Sequence, residues 1–261
     1  MTTNSDNLNI GALAGFGLEF FKGYIDNVKI FNTSLSVAEI AWEYNQGAPV
    51  GHWRLDEKDG ITAYDESDHD NDGTLTTMDP ATDWINGKFN NGLSFDGSND
   101  YVDLGDSSIL QPDTLTVSLW FKTSADTATT QRLIRKRLHG YFIHLNSSEQ
   151  IGGSVSEDST HAASVGTTES YNDGIWHHVA MTYENGILEL FVDGVSKGTD
   201  DAEGSGGGLY TEAGGIALGR DGNYSAYYFN GQMDEVKIYN YVLTSNQIQV
   251  DYNNGAAVGF R

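Results

Sequence analysis

Apolar and polar residues alternate with a period of two through much of this chain, most clearly over residues 114–123. There Leu115, Val117, Leu119 and Phe121 share one side and Thr116, Ser118, Trp120 and Lys122 the other. This is the signature of a strand with one face turned to a core. Shorter strands are predicted at 53–57, at 92–97 and 101–104 around a turn, and at 133–137, 141–145, 176–183, 187–192, 216–219 and 233–239. Asn185-Gly186 and Asp193-Gly194 bracket Ile187–Val192, and both dipeptides favour tight hairpin turns. Residues 61–73 read as an acidic loop and 204–208 as a glycine-rich one, and residues 244–253 read as a short helix. Many short, evenly punctuated strands predict an all-β fold: a two-sheet antiparallel jelly-roll sandwich with a short C-terminal helix.

One of these strands occurs twice. Phe21-Lys22-Gly23-Tyr24-Ile25-Asp26-Asn27-Val28-Lys29-Ile30 matches Phe229-Asn230-Gly231-Gln232-Met233-Asp234-Glu235-Val236-Lys237-Ile238. The match continues without a gap to Tyr44–Gly51 and Tyr252–Gly259, every pair keeping the 208-residue offset of Gly23 and Gly231. A period of that size is a whole domain. Residues 1–49 are expected to be the closing strand and helix of a preceding copy, the strand around Ile25, Val28 and Ile30 and the helix over 34–46. Residues 50–261 are expected to be a complete domain.

Composition narrows the function. The chain has 37 acidic against 14 basic residues, a net charge of −23, which opposes binding to a phosphate backbone and excludes nucleic acid. No apolar run approaches the roughly 18 residues that span a bilayer. There is no cysteine, so neither disulfides nor thiol chemistry contribute, and calcium is the expected route to extra stability in an extracellular setting. The first residues lack the basic start and apolar run of a secretory leader, consistent with a fragment of a longer repeat protein.

Several motifs occur in a fixed order: Trp53-x-Leu55-Asp56-Glu57, Phe95-Asp96-Gly97-Ser98-x-Asp100-Tyr101-Val102, Thr116-Val117-Ser118-Leu119-Trp120-Phe121, Trp176-His177-His178-Val179-Ala180 and Phe191-Val192-Asp193-Gly194. Phe229-x-Gly231-x-Met233-Asp234-Glu235-Val236-x-Ile238-Tyr239 ends the series. Together they resemble a laminin-G-like domain of the concanavalin A-like lectin/glucanase superfamily over residues 50–259. The resemblance implies a jelly roll of two curved sheets, often in tandem in extracellular or cell-surface proteins, but it leaves lectin, glycosidase, adhesion and spacer roles open.

Glycosidases of that superfamily carry carboxylates in alternation on one strand, and a retaining pair needs about 5 to 5.5 Å between carboxyls. No such strand is present. Glu189 is alone, Asp193 reads as a turn residue, and Asp234 and Glu235, as strand neighbours, are expected to face opposite ways. The expectation is a non-catalytic module, with glycoside hydrolysis the enzymatic alternative.

Two arrangements are expected to hold calcium. One is the acidic loop, where Asp65, Asp68, Asp70 and Asp72 precede Gly73 with the alternate spacing a hard cation favours. Its alternative is a solvated loop. The other joins the first and last strands, with Asp56 or Glu57 near Asp234 and Asp65 or Asp96 contributing; for Asp96 the alternative is turn formation.

Ligand recognition has two candidate locations. A concave-face site would use Trp120 and Lys122 with His178, joined by Arg135 or His144. A rim site would use Asp221, Asn223 and Tyr224. An aromatic platform with polar groups suits a sugar, although Trp120 could instead pack beneath a loop. The function expected is an adhesion or lectin-like module of a tandem array that binds glycan or an extracellular protein partner. The rival is a spacer or filament subunit in which residues 8–49 add a strand to a neighbouring copy.

Overall fold

The computed structural model describes residues 10–11, 20–26, 28–31, 34–35, 40, 43–44, 47–136, 140–158, 160–202, 209, 214–221 and 226–253. The chain divides into two compact units, Met1–Ser36 and Val37–Arg261. In the larger unit lie β1 (Gly51–Trp53), β2 (Thr62–Ala63), β3 (Gly73–Thr76), β4 (Trp84–Asn86), β5 (Asn91–Asp96), β6 (Tyr101–Asp103), β7 (Leu115–Lys122) and β8 (Gln131–Lys136). They are followed by β9 (Tyr141–Leu145), β10 (Gln150–Ser156), β11 (Ala162–Ser170), β12 (His177–Glu184), β13 (Ile187–Val192), β14 (Val195–Asp201), β15 (Ile216–Leu218), β16 (Asn230–Tyr239) and the helix α1 (Ser245–Tyr252).

The strands form two eight-stranded sheets. The first runs β14-β13-β12-β7-β16-β5-β4, with β1 paired to β16; the second runs β11-β10-β9-β8-β15-β6-β3-β2. The expected period of two holds in β7, whose Leu115, Val117, Leu119 and Phe121 are fully buried together with Val179, Met181 and Tyr183 of β12. The second sheet contributes Leu133, Ile143, Leu145, Ile151, Val155 and Leu218 to the same core. This is the sandwich expected of two sheets that each turn an apolar face inward.

As expected, the first and last strands of the sandwich meet. β16 pairs with β5 through Asn230–Met233 and with β1 through Val236–Ile238, while β7 runs along its other side. Where one partner gives way to the other, a register shift falls between Asp234 and Lys237. Glu235 adopts φ 49° there, the local geometry of a bulge.

The helix α1 is held by a capping box. The Thr244 side chain accepts a hydrogen bond from the Gln247 backbone N–H, and the Gln247 side chain accepts one from the Thr244 N–H, which satisfies donors that a helix start otherwise leaves open. Ile248 on this helix is buried with Ala180, Phe191, Tyr239, Tyr241 and Leu243 in a second apolar cluster. Part of the outer face of the first sheet is therefore covered, around β7, β12 and β16, whereas the period-two pattern of β7 predicts a solvated face there.

Other differences have local causes. The strand predicted over 53–57 ends at Trp53, because Leu55 (φ 57°) and Lys58 (φ 70°) turn the chain in the left-handed region. The acidic loop contains β2 and ends at the first residue of β3, and β4, β10, β11 and β14 were not predicted. β10 escapes notice through its glycines: a Cβ on Gly152 would sit 2.4 Å from the His144 ring, and one on Gly153 2.8 Å from Met181 Sδ. Its neighbours fill the space that its own side chains would use to signal a strand. In the smaller unit, residues 21–26 and 28–31 form no strand, and Ile25, Val28 and Ile30 are exposed. The helix expected over 34–46 falls largely outside the described residues.

Candidate functional site

The acidic loop is closed by its own hydrogen bonds. Asp65 Oδ1 accepts from the backbone N–H groups of His52 and Ser67, both at 2.9 Å, and Oδ2 from Ser67 Oγ at 2.8 Å and from Asn71 N and Nδ2 at 3.0 Å. Burial pushes the pKa of this carboxyl up, but those donors outweigh it and hold the pKa below its ordinary value. Asp72 Oδ1 accepts from the Asp65 N–H, while Asp68 and Asp70 are exposed. Asp65 thus folds the loop and ties it to β1, with its lone pairs already engaged.

Of the second expected metal cluster, Asp56 lies near enough for its charge to act on Asp234, whereas Asp96 does not join them. Asp96 Oδ1 accepts from the N–H groups of Ser98 and Asn99, which is the turn alternative. It pairs with Asn230, four residues along β16 from Asp234, and so lies about 13 Å away at the usual rise per residue. Glu57 accepts from the Tyr64 N–H at 2.7 Å. Asp234 is fully buried and accepts from the Phe89 N–H at 2.8 Å through Oδ2, while Oδ1 has no partner. Burial, reinforced by the charges of Glu235 and Asp56, pushes its pKa up to about 7. Among the described residues no group of three or more His, Asp or Glu side chains is placed to hold a metal.

Asp234 and Glu235 do not face opposite ways. The bulge inserts Glu235 between residues of one face: Asp234 stands opposite Trp120 and Lys237 opposite Ser118. Glu235 meets His52 at 2.9 Å, Arg54 at 3.5 Å and Lys237 at 3.4 Å.

Trp120 is no sugar platform. It is 3% exposed, with Tyr252 of α1 stacked on it at 5.4 Å, His178 at 5.3 Å, Phe89 edge-on at 5.8 Å and Lys88 Nζ at 4.1 Å from the ring centroid. His178 is equally enclosed and reaches Asp251 Oδ2 at 3.2 Å. Ser118 and Lys237 also bind Asp251, at 2.6 and 2.7 Å. This network fastens α1 over the face where a ligand was expected.

The remaining expected ligand residues divide between the sheets. Arg135 and His144 lie on the second sheet, where Arg135 Nε stands 3.0 Å from the buried Asp221. Asn223 and Tyr224 lie outside the described residues. Lys122 alone borders an open cleft, on the first sheet.

That cleft is a groove of about 540 Å³ lined by Lys58, Trp84, Ile85, Asn86, Asn91, Lys122 and Gln232. Pairing across β7 and β16 sets Lys122 opposite Gln232, and pairing across β4 and β5 sets Asn86 opposite Asn91. The left-handed turn at Leu55 and Lys58 brings the second lysine in. Asp56 accepts from the Asn91 N–H at 3.0 Å and its carbonyl from Asn91 Nδ2 at 3.1 Å, anchoring that wall. Trp84 Nε1 is spent on the Gly60 carbonyl at 3.0 Å, so the indole supports the groove. Among the described residues, the ends of Lys58, Asn86, Lys122 and Gln232 have no hydrogen-bond partner, and no carboxylate lines the groove. The signal in sequence was faint, because Lys58, Asn86 and Gln232 belong to no motif.

Comparison with solved structures places the fold among binding domains. The receptor-binding domain of a botulinum neurotoxin mosaic serotype C/D aligns at 19% identity and TM-score 0.61, covering 79% of this chain and 51% of that one. The botulinum neurotoxin serotype D ligand-binding domain, solved with N-acetylneuraminic acid, aligns at 14% identity and TM-score 0.62, covering 82% and 52%. The chain thus spans about half the length of these toxin domains. Domain 4 of an extracellular arabinanase from Geobacillus stearothermophilus, solved with arabinotriose, aligns at 22% identity and TM-score 0.61, covering 78% of this chain and 98% of that one. The laminin-G-type family model of the concanavalin A-like lectin/glucanases superfamily matches residues 96–249. With its motifs, its two sheets and this match in agreement, the chain belongs to the concanavalin A-like lectin/glucanase superfamily as a laminin-G-like domain.

Proposed function

We propose that this domain is a non-catalytic, extracellular glycan-binding module whose groove takes a saccharide bearing an acidic group. The observation that carries this reading is the groove itself. Two lysines and two amides present unspent donors, three of them on strands and Lys58 on the turn after β1, and no carboxylate lines it to repel an anion or to serve as acid or base. Ammonium and amide donors suit sugar hydroxyls and a carboxylate or sulfate together, and charge-assisted bonds are the stronger kind. A related fold holds arabinotriose and another N-acetylneuraminic acid, which supports a saccharide without naming one.

The test is a glycan array with the whole chain, followed by titration of the best hits against Lys58→Gln and Lys122→Gln. Each substitution is expected to weaken binding of acidic glycans about tenfold. Binding that survives the double variant unchanged would remove the groove from the reading.

A second reading, self-association in a tandem or filamentous protein, is favoured by the exposed Phe20, Phe21 and Ile30 of the smaller unit. It predicts sedimentation that shifts with concentration and ceases to shift when residues 1–49 are deleted. Calcium stabilisation is a separate proposal, motivated by the net charge of −23 and the absence of cysteine. Chelation followed by calcium addition is its test, and it requires a melting temperature that falls and then recovers.

A further inference from the structure

The connection that leads into β12 is tied down by a histidine lying between two carboxylates. His177, the first residue of β12, stands opposite Phe121 of β7, with 9% of its side chain exposed. Its Nδ1 is 2.8 Å from Asp193 Oδ2. Its Nε2 is 3.2 and 3.3 Å from the two carboxylate oxygens of Asp173. An ionised carboxylate only accepts hydrogen bonds, and a neutral imidazole carries a proton on one nitrogen alone. A carboxylate on each nitrogen is therefore satisfied only by the imidazolium.

The two acids belong to different connections. Asp193, at φ 51° in the β13–β14 turn, is fixed to the backbone of β12. Its N–H donates to the His178 carbonyl at 2.8 Å, and its Oδ1 accepts from the His178 N–H at 2.9 Å. Asp173 lies in residues 171–176, between β11 and β12, where its Oδ1 accepts from the Ile175 N–H at 3.0 Å. Its side chain is 51% exposed, against 35% for Asp193. The next residue donates its N–H to the Thr123 carbonyl at 2.9 Å. Around the ring, β7 presents the uncharged Phe121 at 5.9 Å. Tyr171 stands edge-on at 4.9 Å, and its hydroxyl accepts from Lys197 of β14, which lies near Glu169 of β11. The neighbouring His178 bonds Asp251 instead. Burial lowers the His177 pKa, but the bonds and charges of Asp193 and then Asp173 outweigh it and hold the pKa above the ordinary histidine value.

We propose that His177 is a pH-sensitive clasp: its imidazolium fastens residues 171–176 to the β13–β14 turn, and loss of a proton to solvent in alkaline medium frees that loop. The proton left behind stays on Nδ1, because Asp193 is the closer acid, the less exposed one and the one fixed by His178. Nε2 then turns a lone pair towards Asp173, and that exposed carboxylate leaves for water. A group whose pKa folding raises stabilises the fold in full below the unfolded value, about 6.5, and that contribution is lost as pH rises through the folded value. The clasp uses no residue of the groove and does not depend on what the groove binds.

The experiment is a nuclear magnetic resonance titration of the whole chain with isotope-labelled imidazoles, from mildly acidic to mildly alkaline pH, with amide hydrogen exchange followed in parallel. His177→Gln identifies the His177 signals by their absence. His177 is expected to titrate above the ordinary histidine value and to end as the Nδ1–H tautomer. Through that titration the Gly174 amide should exchange faster than the rise in hydroxide alone accounts for, while the Asp193 amide follows hydroxide. Asp173→Asn, at an exposed position, keeps an acceptor for the Ile175 N–H. It should lower the His177 pKa and abolish the excess exchange at Gly174. A His177 pKa at or below the ordinary value, an Nε2–H tautomer, or Gly174 exchange that tracks hydroxide throughout would each overturn the clasp. Excess exchange that persists in Asp173→Asn would assign the loosening to another group and overturn it too.

Discussion

Asp234 carries a carboxyl that folding makes harder to ionise. Its pKa of about 7 stands above that of an unfolded aspartate, so the folded state binds the proton more tightly. The penalty is absent below about pH 4, where both states are protonated, and grows as pH rises towards 7. Asp234→Asn keeps an acceptor for the Phe89 N–H and is expected to stabilise the domain by about 1 to 3 kcal/mol at pH 8, with little gain at pH 4. Urea melts at both pH values check this. Asp251 is the opposite case. Burial raises its pKa, but hydrogen bonds and charge from His178 and Lys237 prevail and hold it well below the ordinary range. Its replacement by alanine leaves the largely buried Lys237 short of its closest partner and is expected to cost about 3 kcal/mol. The sequence shows such residues as acidic letters. It does not show that the donors satisfying Asp65 are mostly backbone N–H groups, whose directions exist only once the loop has closed.

Elements that announce themselves by large alternating side chains were legible, β7, β9, β12 and β13 above all. β10 was not, because Gly152 and Gly153 give their side-chain space to neighbours. The helix α1 was legible as the repeat of the helix expected over 34–46, but its tertiary role was not. Nothing local to Ser245–Tyr252 reveals that Tyr252 will stack on Trp120. Thr244→Ala removes the side-chain half of the capping box, leaving the Gln247 N–H without its acceptor, and is expected to lower stability by about 1 kcal/mol in a denaturant titration. The candidate ligand surface predicted around Trp120 failed for this reason: a period of two identifies an outward face, and it cannot say whether a helix will lie there.

At the scale of the molecule, the net charge of −23 surrounds a groove bordered by two lysines. An acidic glycan is repelled at long range and attracted at contact, and salt screens the first more than the second. Stopped-flow association with an acidic glycan is therefore expected to quicken between low and physiological ionic strength. A rate that falls with salt throughout would mean that the local lysines dominate the approach. No helix among the described residues is long and apolar enough to cross a membrane. The grouping of strands into a sandwich was legible from their number and spacing. The groove was not, since Lys58, Asn86, Lys122 and Gln232 come from four separate stretches of chain and share no pattern.

The register shift between Arg132 and Ile134 in β8 sets Arg132 and Arg135 together over the Phe142 ring, which makes the arginine pair a matter of residue count as much as of residue type. Removing the single residue Leu133 would bring the arginines to a separation of two, at which a regular strand keeps both on one face without a bulge, whereas straightening the strand with Leu133 in place would drive one of them towards the apolar interior. Relatives that lack the bulge would keep the two arginines side by side only with one residue fewer between them. Two arginines at an odd separation within a strand are thus a mark that can be read in other sequences: where both are retained at that separation, the fold must break the alternation to accommodate them.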